Sequence, residues 1–188
     1  LLRVYEVSPA EIGLYIGLGS AIGGFLGITL GGILADYLKS KVAWGRLVLG
    51  YVSIIGTIPL LFALLYSQSL AAAFLLNFFL YIPAACGGGV PPSTASDLVM
   101  PRMRAVAGAF YILLNTFIGL ALGPYVMGEL SDFFLSTGLS DFEALRMAML
   151  VSMLTFIPAL IFLFLAQRHL AQDESSRIER AKALGEKF

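Results

Sequence analysis

Five long apolar stretches, separated by short polar segments, decide what this chain can fold into. Each stretch has the roughly 20 residues that a helix needs to cross about 30 Å of hydrocarbon. A membrane strand would instead show about 10 residues of alternating polarity. The expected spans are residues 12–38, 47–66, 70–98, 105–130 and 145–166. The sequence therefore predicts an all-α integral membrane protein with five transmembrane helices.

The composition agrees with a membrane protein and argues against a soluble one. The chain is 59% hydrophobic and 13% charged, with a mean hydropathy of +0.88, whereas about a quarter of the residues in soluble domains are charged. Its formal net charge of zero gives no basic excess that would favour a nucleic-acid partner. We therefore expect membrane lipids, and no nucleic acid, as partners. Because the sequence starts at Leu1, we expect it to be a segment of a longer protein.

The basic residues are distributed unevenly along the five-span topology. Ten of the twelve Lys and Arg residues fall on one side, and only Arg3 and Arg146 fall on the other. By the positive-inside rule the basic side is predicted to be cytoplasmic. Residues 1–11 are then an extracytoplasmic loop, and residues 167–188 are a cytoplasmic tail. The predicted location is a bacterial inner membrane, crossed several times.

Glycines recur at a spacing of four in two of the predicted spans. This spacing places them on one helical face, where small residues let a second helix approach closely. They are Gly19, Gly23, Gly27 and Gly31 in the first span, and Gly119 and Gly123 in the fourth. We expect both sets to serve helix packing.

The third span contains residues that disfavour a straight helix. Pro83, the glycines at 87–89, and the pair Pro91 and Pro92 lie within its apolar sequence. Proline removes a helical hydrogen bond, and the freed groups need neighbouring helices or a wet cavity. We expect this stretch to bend a helix that lines a cavity.

Two polar side chains leave alternatives open. Asp36 lies where the first span ends, where it would cap a neighbouring helix, pair with a base in the next loop, or sit in an ordinary solvated loop. Asn115 lies near the middle of the fourth span, where an amide is costly without a partner. It either bonds to another helix or faces a cavity.

The residues needed for enzymatic chemistry in a membrane are absent from the predicted spans. The only histidine, His169, lies outside them, and no span contains two carboxylates close together in the sequence. Intramembrane hydrolases need a metal cluster, a Ser/His pair or paired acids. We expect no catalytic residue, no metal and no cofactor.

Several motifs resemble those of major facilitator superfamily transporters. Gly32-Ile-Leu-Ala-Asp36, followed by bases, resembles the signature Gly-x-x-x-Asp-Arg-x-Gly-Arg-Arg that lies between the second and third helices of each half, although Tyr37 and Lys39 depart from it. The later segments resemble the Spinster-like branch of this superfamily: Met100-Pro-Arg-Met-Arg-Ala-Val-Ala-Gly-Ala109, Asn115, Gly119, Leu122-Gly-Pro124 and Gly128-Glu-Leu-Ser-Asp132. Ser8-Pro-Ala-Glu-Ile-Gly13 resembles the superfamily's loop into the second helix of a half.

The resemblance implies a fold and a function. The five spans would be helices two to six of the C-terminal half of a twelve-helix fold, with the N-terminal half of the same protein as partner. The function implied is alternating-access transport of a lipid-like or amphiphilic small molecule. Proton coupling is implied for the branch, with the coupling acid expected outside this sequence. The alternatives are a drug efflux transporter of the same superfamily and a non-transporting membrane scaffold or receptor.

The resemblance also implies roles for particular residues. Candidates to face substrate are Asn77, Tyr81 and Ser93 in the third span, and Tyr111 and Asn115 in the fourth. Candidates for a cytoplasmic gate are Asp36, Lys41, Asp97 and Arg104. We expect the gate residues to form a charge network, and Asp36→Asn to loosen the outward-facing state.

Overall fold

The computed structural model describes residues 9–42 and 44–183, with side chains described for residues 10, 12–42 and 44–176. The predicted roles of Arg3 and Ser8, most of the 1–11 loop, and the tail beyond Ala183 lie outside these residues. The helices are α1 (Pro9–Lys39), α2 (Leu47–Leu65), α3 (Leu70–Cys86), α4 (Val90–Leu98), α5 (Arg104–Asn115), α6 (Gly123–Ser136), α7 (Asp141–Ser152) and α8 (Phe156–Ala183). This part of the chain contains no strand.

Five helical stretches of the described chain are long and apolar enough to cross a membrane. They are Ile12–Lys39, Leu47–Leu65, Leu70–Leu98, Pro101–Ser136 and Asp141–Ser176. The last three join consecutive helices: α3 with α4, α5 with α6, and α7 with α8. The predicted all-α fold with five membrane helices is confirmed. The fourth and fifth helical stretches extend further than the apolar sequence does, because the helix continues into polar residues.

Close packing of α1 against α3 forms the main helix contact. A Cβ atom added to Gly23 would lie 2.6 Å from the backbone oxygen of Phe78, and one on Gly27 or Gly31 would collide with the next turns of α3. Only a residue without a side chain allows two helix backbones to approach so closely. The structure thus places the four glycines spaced by four, Gly19, Gly23, Gly27 and Gly31, in a seam between α1 and α3.

The third span packs on α2 through small residues and breaks at its glycines. A Cβ added to Gly56 would lie 2.9 Å from the Pro83 ring, and one added to Gly87 would lie 2.8 Å from the Ser53 Cβ. Helix α3 ends before residues 87–89, and α4 begins immediately after them. The bend expected from the glycine and proline residues is therefore present as a break between two helices.

A tight loop turns the fourth span back as the fifth. Gly138 has a φ of 92°, a left-handed conformation that glycine adopts without a Cβ penalty. Ser140 and Glu143 then form a reciprocal capping box that starts α7. Ala144 and Ala148 are fully buried on α7. These features make α6 and α7 a closely packed antiparallel pair.

The middle of the fourth span has no packing partner among the described residues. No residue of α5 or of the π-helical turn Thr116–Leu122 is buried, and Leu120 is 74% exposed. A Cβ on Gly119 would meet nothing within 4 Å, and one on Gly123 would meet only the Ile118 backbone oxygen, at 3.8 Å. The packing expected at these two glycines thus has no partner helix in this part of the protein.

Alanine at two glycines of α1 tests the α1–α3 seam. Gly27→Ala places a methyl group against the backbone of α3, and overpacking of this kind costs about 1–3 kcal/mol. Gly24→Ala is the matched control, because a Cβ there meets nothing within 4 Å. Thermal unfolding of the full-length protein in detergent should show a clear loss of stability for Gly27→Ala and none for Gly24→Ala. Equal losses would contradict the seam.

Candidate gate and substrate-facing residues

A short loop folds the start of α2 back over the end of α1. Ser40 and Lys41 form turns on the last carbonyls of α1, at Asp36 and Leu38. A Cβ on Gly45 would collide with the backbone of Leu38, so a residue without a side chain is needed where the loop crosses the helix end. This close crossing brings the residue after Gly45, which is Arg46, beside Asp36.

Five charged residues form a network, which we call the charge network: Asp36, Lys39, Arg46, Asp97 and Glu174. Arg46 donates from Nη2 to Oδ1 of Asp36 at 3.0 Å, and from Nη1 to Oδ2 of Asp97 at 2.7 Å. Lys39 pairs with the same oxygen of Asp97 and lies 3.5 Å from Oε1 of Glu174. The network therefore joins the end of α1, the loop before α2, the end of α4, and α8.

Asp97 is the central acceptor of the charge network. Its side chain is 27% exposed and meets two cations, whereas that of Asp36 is 75% exposed and meets one. Exposed ion pairs contribute about 0–1 kcal/mol because water screens them. Hydrogen bonds to a less exposed ion are worth about 1.5–3 kcal/mol. We therefore expect Asp97 to stabilise the packing of these helix ends more than Asp36 does.

A hydrophobic core accompanies the charge network at the same end of the helices. Its buried members are Leu47, Leu49, Val90 and Leu170. Partly buried side chains packed against them are Ala35, Leu38, Cys86, Leu98 and Leu163. Because these residues come from α1, α2, α3, α4 and α8, apolar packing and ion pairing hold the same helix ends together.

Helix α8 reaches the charge network because it does not stop where the apolar sequence ends. Beside α2, Tyr51 donates a hydrogen bond to Oε1 of Gln167 at 3.0 Å, and a Cβ on Gly50 would lie 3.0 Å from Leu163. Leu170 follows in the buried core, and Glu174 lies one turn further. The predicted tail thus begins as a packed part of the helix bundle.

A cleft of about 180 Å³ lies between α1 and the α3–α4 break. Its wall includes Asp36 and Arg46 at the charged end, and Cys86 and Ser93 along α3 and α4. The Ser93 hydroxyl donates to the Val90 backbone oxygen at 3.0 Å. Of the five predicted substrate-facing residues, Ser93 is the one that lines this cleft.

The two predicted substrate-facing residues of α3 lie at the α1–α3 seam, away from the cleft. Asn77 is 8% exposed, and its Nδ2 lies 3.6 Å from where a Cβ of Gly19 would be. That Nδ2 has no hydrogen-bond partner among the described residues. Tyr81, 39% exposed, lies against Gly23. Among the described residues α1 covers Asn77 along its glycine face, and the substrate-facing role of Asn77 and Tyr81 stays a prediction.

Tyr111 and Asn115 lie on α5, the least covered part of the described structure. Asn115 is the last residue of α5, directly before the π-helical turn, and is exposed. Tyr111 is partly exposed, and neither side chain forms a hydrogen bond with a described residue. Both alternatives for Asn115 therefore stand: a hydrogen bond to a helix outside this sequence, or a position facing a cavity.

Two of the four predicted gate residues enter the charge network, and two do not. Asp36 and Asp97 are members, whereas Lys41 lies over the Tyr37 ring, 4.5 Å from its centroid. Arg104 is exposed at the start of α5 and pairs with no acid in the described part of the chain. Lys41 misses the network because α1 ends at Lys39, which leaves Lys41 in the turn.

Sequence reasoning missed the cations that complete the charge network. Lys39 lies three residues after Asp36 in the helix, a spacing that places both side chains on neighbouring positions of one face. This spacing was a usable signal for Lys39, and Arg46 was recognisable as a base of the loop that follows Asp36. Nothing local in the sequence pointed to Glu174, because it meets Lys39 only through the packing of α8.

Replacing each of the two network aspartates by asparagine tests whether Asp97 stabilises the protein more than Asp36 does. We expect Asp97→Asn to destabilise the full-length protein by about 1.5–3 kcal/mol, since two cations lose their shared acceptor. Asp36→Asn, its matched control, should cost less than about 1 kcal/mol. Thermal unfolding in detergent at low and high salt measures both. A larger loss for Asp36→Asn would contradict the proposed order.

Comparison with known proteins finds two relatives that match about two thirds of this chain. The chain is 33% identical over 136 residues to an MFS-type efflux pump of Mycolicibacterium smegmatis, covering 70% of this chain and 30% of that protein. It is 26% identical over 124 residues to Protein spinster of Drosophila melanogaster, covering 65% of this chain and 20% of that protein. No family model matches the sequence.

The chain spans less than a third of the length of either curated relative. Within that length, the five membrane helices and the motif residues around Asp36 and Asn115 agree with the family of these relatives. Fold, motifs and relatives together show that the chain belongs to the major facilitator superfamily, with similarity to its Spinster branch.

Proposed function

We propose that the protein is a secondary active transporter that moves a lipid-like or amphiphilic small molecule by alternating access. In this mechanism two helical bundles rock around a site near the middle of the membrane. The described helices would be part of the C-terminal bundle, with its basic end and tail on the cytoplasmic side. The bacterial relative supports the transport part of this proposal by its name, an MFS-type efflux pump.

The charge network is the observation that carries the proposal. It ties the ends of α1, α4 and α8 together at one end of the bundle, so that these helices can move as one body when two bundles rock. Its side chains are partly exposed, so each ion pair contributes only about 1 kcal/mol or somewhat more. Together with the hydrophobic core at the same end, these contacts would keep the helix ends in register while the bundle moves.

The chemistry of the described helices favours an amphiphilic substrate. Most apolar side chains of α5 and the π-helical turn are exposed. Two polar side chains lie among them, the partly exposed Tyr111 and the exposed Asn115. The cleft of about 180 Å³ is smaller than ordinary ligand pockets, which occupy about 300–1,000 Å³. We therefore propose that helices outside this sequence complete the binding site, and that apolar contacts dominate it.

Proton coupling is part of the proposal, through an acid outside this sequence. Within the described chain, Asp97 lies at the end of its span and is occupied by two cations. Glu129 lies in α6, towards the opposite end of the fourth span. Neither carboxylate stands at the centre of the bilayer, where proton-relay acids of transporters are usually placed. We assign no catalytic role to the chain.

Drug efflux is the second candidate function, and the name of the bacterial relative favours it. An amphiphilic drug also suits a wide apolar cavity with few charges. The two functions differ in the molecule carried, whereas fold and gate would be shared. A membrane scaffold that transports nothing is the third candidate, because the α1–α3 seam would serve it equally.

Flux measurements on the full-length protein in proteoliposomes separate the three functions. We expect a labelled lysophospholipid to cross several-fold faster than in protein-free liposomes, and a pH gradient to increase the rate. Transport of lipophilic drug-like cations without lysophospholipid transport would favour drug efflux. Failure to transport either class, by protein that is folded in the same vesicles, would favour the scaffold.

A further inference from the structure

The end of the bundle opposite the charge network carries one base within the described residues, Arg146 on α7. Its guanidinium carbon lies 4.2 Å from the ring centroid of Phe142, one turn earlier on α7, and 4.8 Å from that of Tyr66, which follows α2. Guanidinium groups at this distance are attracted to the faces of aromatic rings. Two helices therefore hold the side chain in place.

The hydrogen-bond donors of Arg146 have no acceptor in the described part of the protein. Its Nε is buried without a partner, and the side chain takes part in no hydrogen bond or ion pair there. Glu143, one turn earlier, accepts hydrogen bonds from the backbone and hydroxyl of Ser140, at 3.1 and 2.7 Å. Glu143 attracts Arg146 electrostatically but accepts no hydrogen bond from it. The donors of this partly buried guanidinium are therefore left for an external acceptor, and an anion is the strongest one.

The surroundings of Arg146 fit a lipid headgroup. Arg146 lies one residue after the predicted start of the fifth apolar span, at the depth where helices leave the hydrocarbon. Phe62 stacks on Tyr66 with ring centroids 4.8 Å apart, and both rings are about half exposed. Aromatic residues favour this depth of the membrane. Acyl chains therefore have an exposed apolar surface directly beside the charged group.

We propose that Arg146, held in place by the rings of Tyr66 and Phe142, binds the headgroup phosphate of an anionic phospholipid on this side of the membrane. The two rings occupy faces of the guanidinium and leave its edge for the ligand. That edge presents paired N–H groups that match two oxygens of a phosphate. The site is separate from the charge network and does not depend on which substrate is transported.

Native mass spectrometry of the full-length protein in detergent tests this site with phosphatidylglycerol and phosphatidylcholine as probes. The wild type should bind phosphatidylglycerol about fivefold more tightly or better, since charge-assisted bidentate bonds favour a net anionic lipid. Arg146→Gln should abolish this preference. Arg168→Gln is the matched control, because Arg168 also stacks on a ring, that of Phe164 at 4.4 Å, at the basic end.

Two further variants separate the site from a general effect of charge or of folding. Arg146→Lys keeps the charge but loses the planar fork, and Tyr66→Ala keeps the arginine but removes one ring. Both should weaken the preference for phosphatidylglycerol without removing it. A preference that survives in Arg146→Gln, or falls equally in Arg168→Gln, would overturn the proposal. Displacement of the lipid by inorganic phosphate would overturn it too, because the ligand would then be a free anion.

Discussion

The close approach of α1 and α3 is the constraint on which the rest of the described structure depends. Gly31 lies against the backbone of Cys86, the last residue of α3. The final two turns of α1 therefore face α4 across the cleft, and Lys39 pairs with Asp97. Larger residues along this face of α1 would separate the helices and pull the charged ends apart. The glycine seam thus positions the charge network, although no glycine belongs to it.

Apolar packing and ion pairing make different contributions at the basic end. The hydrophobic core around Leu49 and Val90 is buried. Separating these helix ends would be costly, because apolar surface would be exposed to water. The ion pairs of Arg46 remain partly exposed, so water replaces them at small cost. We therefore expect the helix ends that share the core and the charge network to move together as one unit, with the core contributing most of the stability.

How far the sequence predicts this structure depends on whether a feature is local. The five spans follow from apolar length, and the break at 87–89 follows from consecutive glycines, since both depend on neighbouring residues alone. The burial of Asn77 was not predictable in this way, because it depends on which helix faces Gly19. Local spacing does not reveal the partner of a helical face.

The charge network shows the same limit at the level of single side chains. Asp36 and Asp97 were predictable as charged ends of spans. Asp36 pairs with Arg46 and not with Lys41 because the loop crosses Leu38 at Gly45. Glu174 meets Lys39 only because α8 packs against this end of the bundle. The fourth span is the extreme case, because partners for its exposed face are not among the described residues.

The central claim is that the charge network holds together the basic end of a moving bundle, and Cys86 offers a direct measurement. It is the single cysteine of this sequence and lines the cleft beside Asp36 and Arg46. Its alkylation by a membrane-impermeant maleimide, with cysteines outside this sequence replaced by serine, reports access from the basic side. The account predicts slow labelling in the wild type and several-fold faster labelling in Asp97→Asn. Equal rates in the two proteins would contradict it.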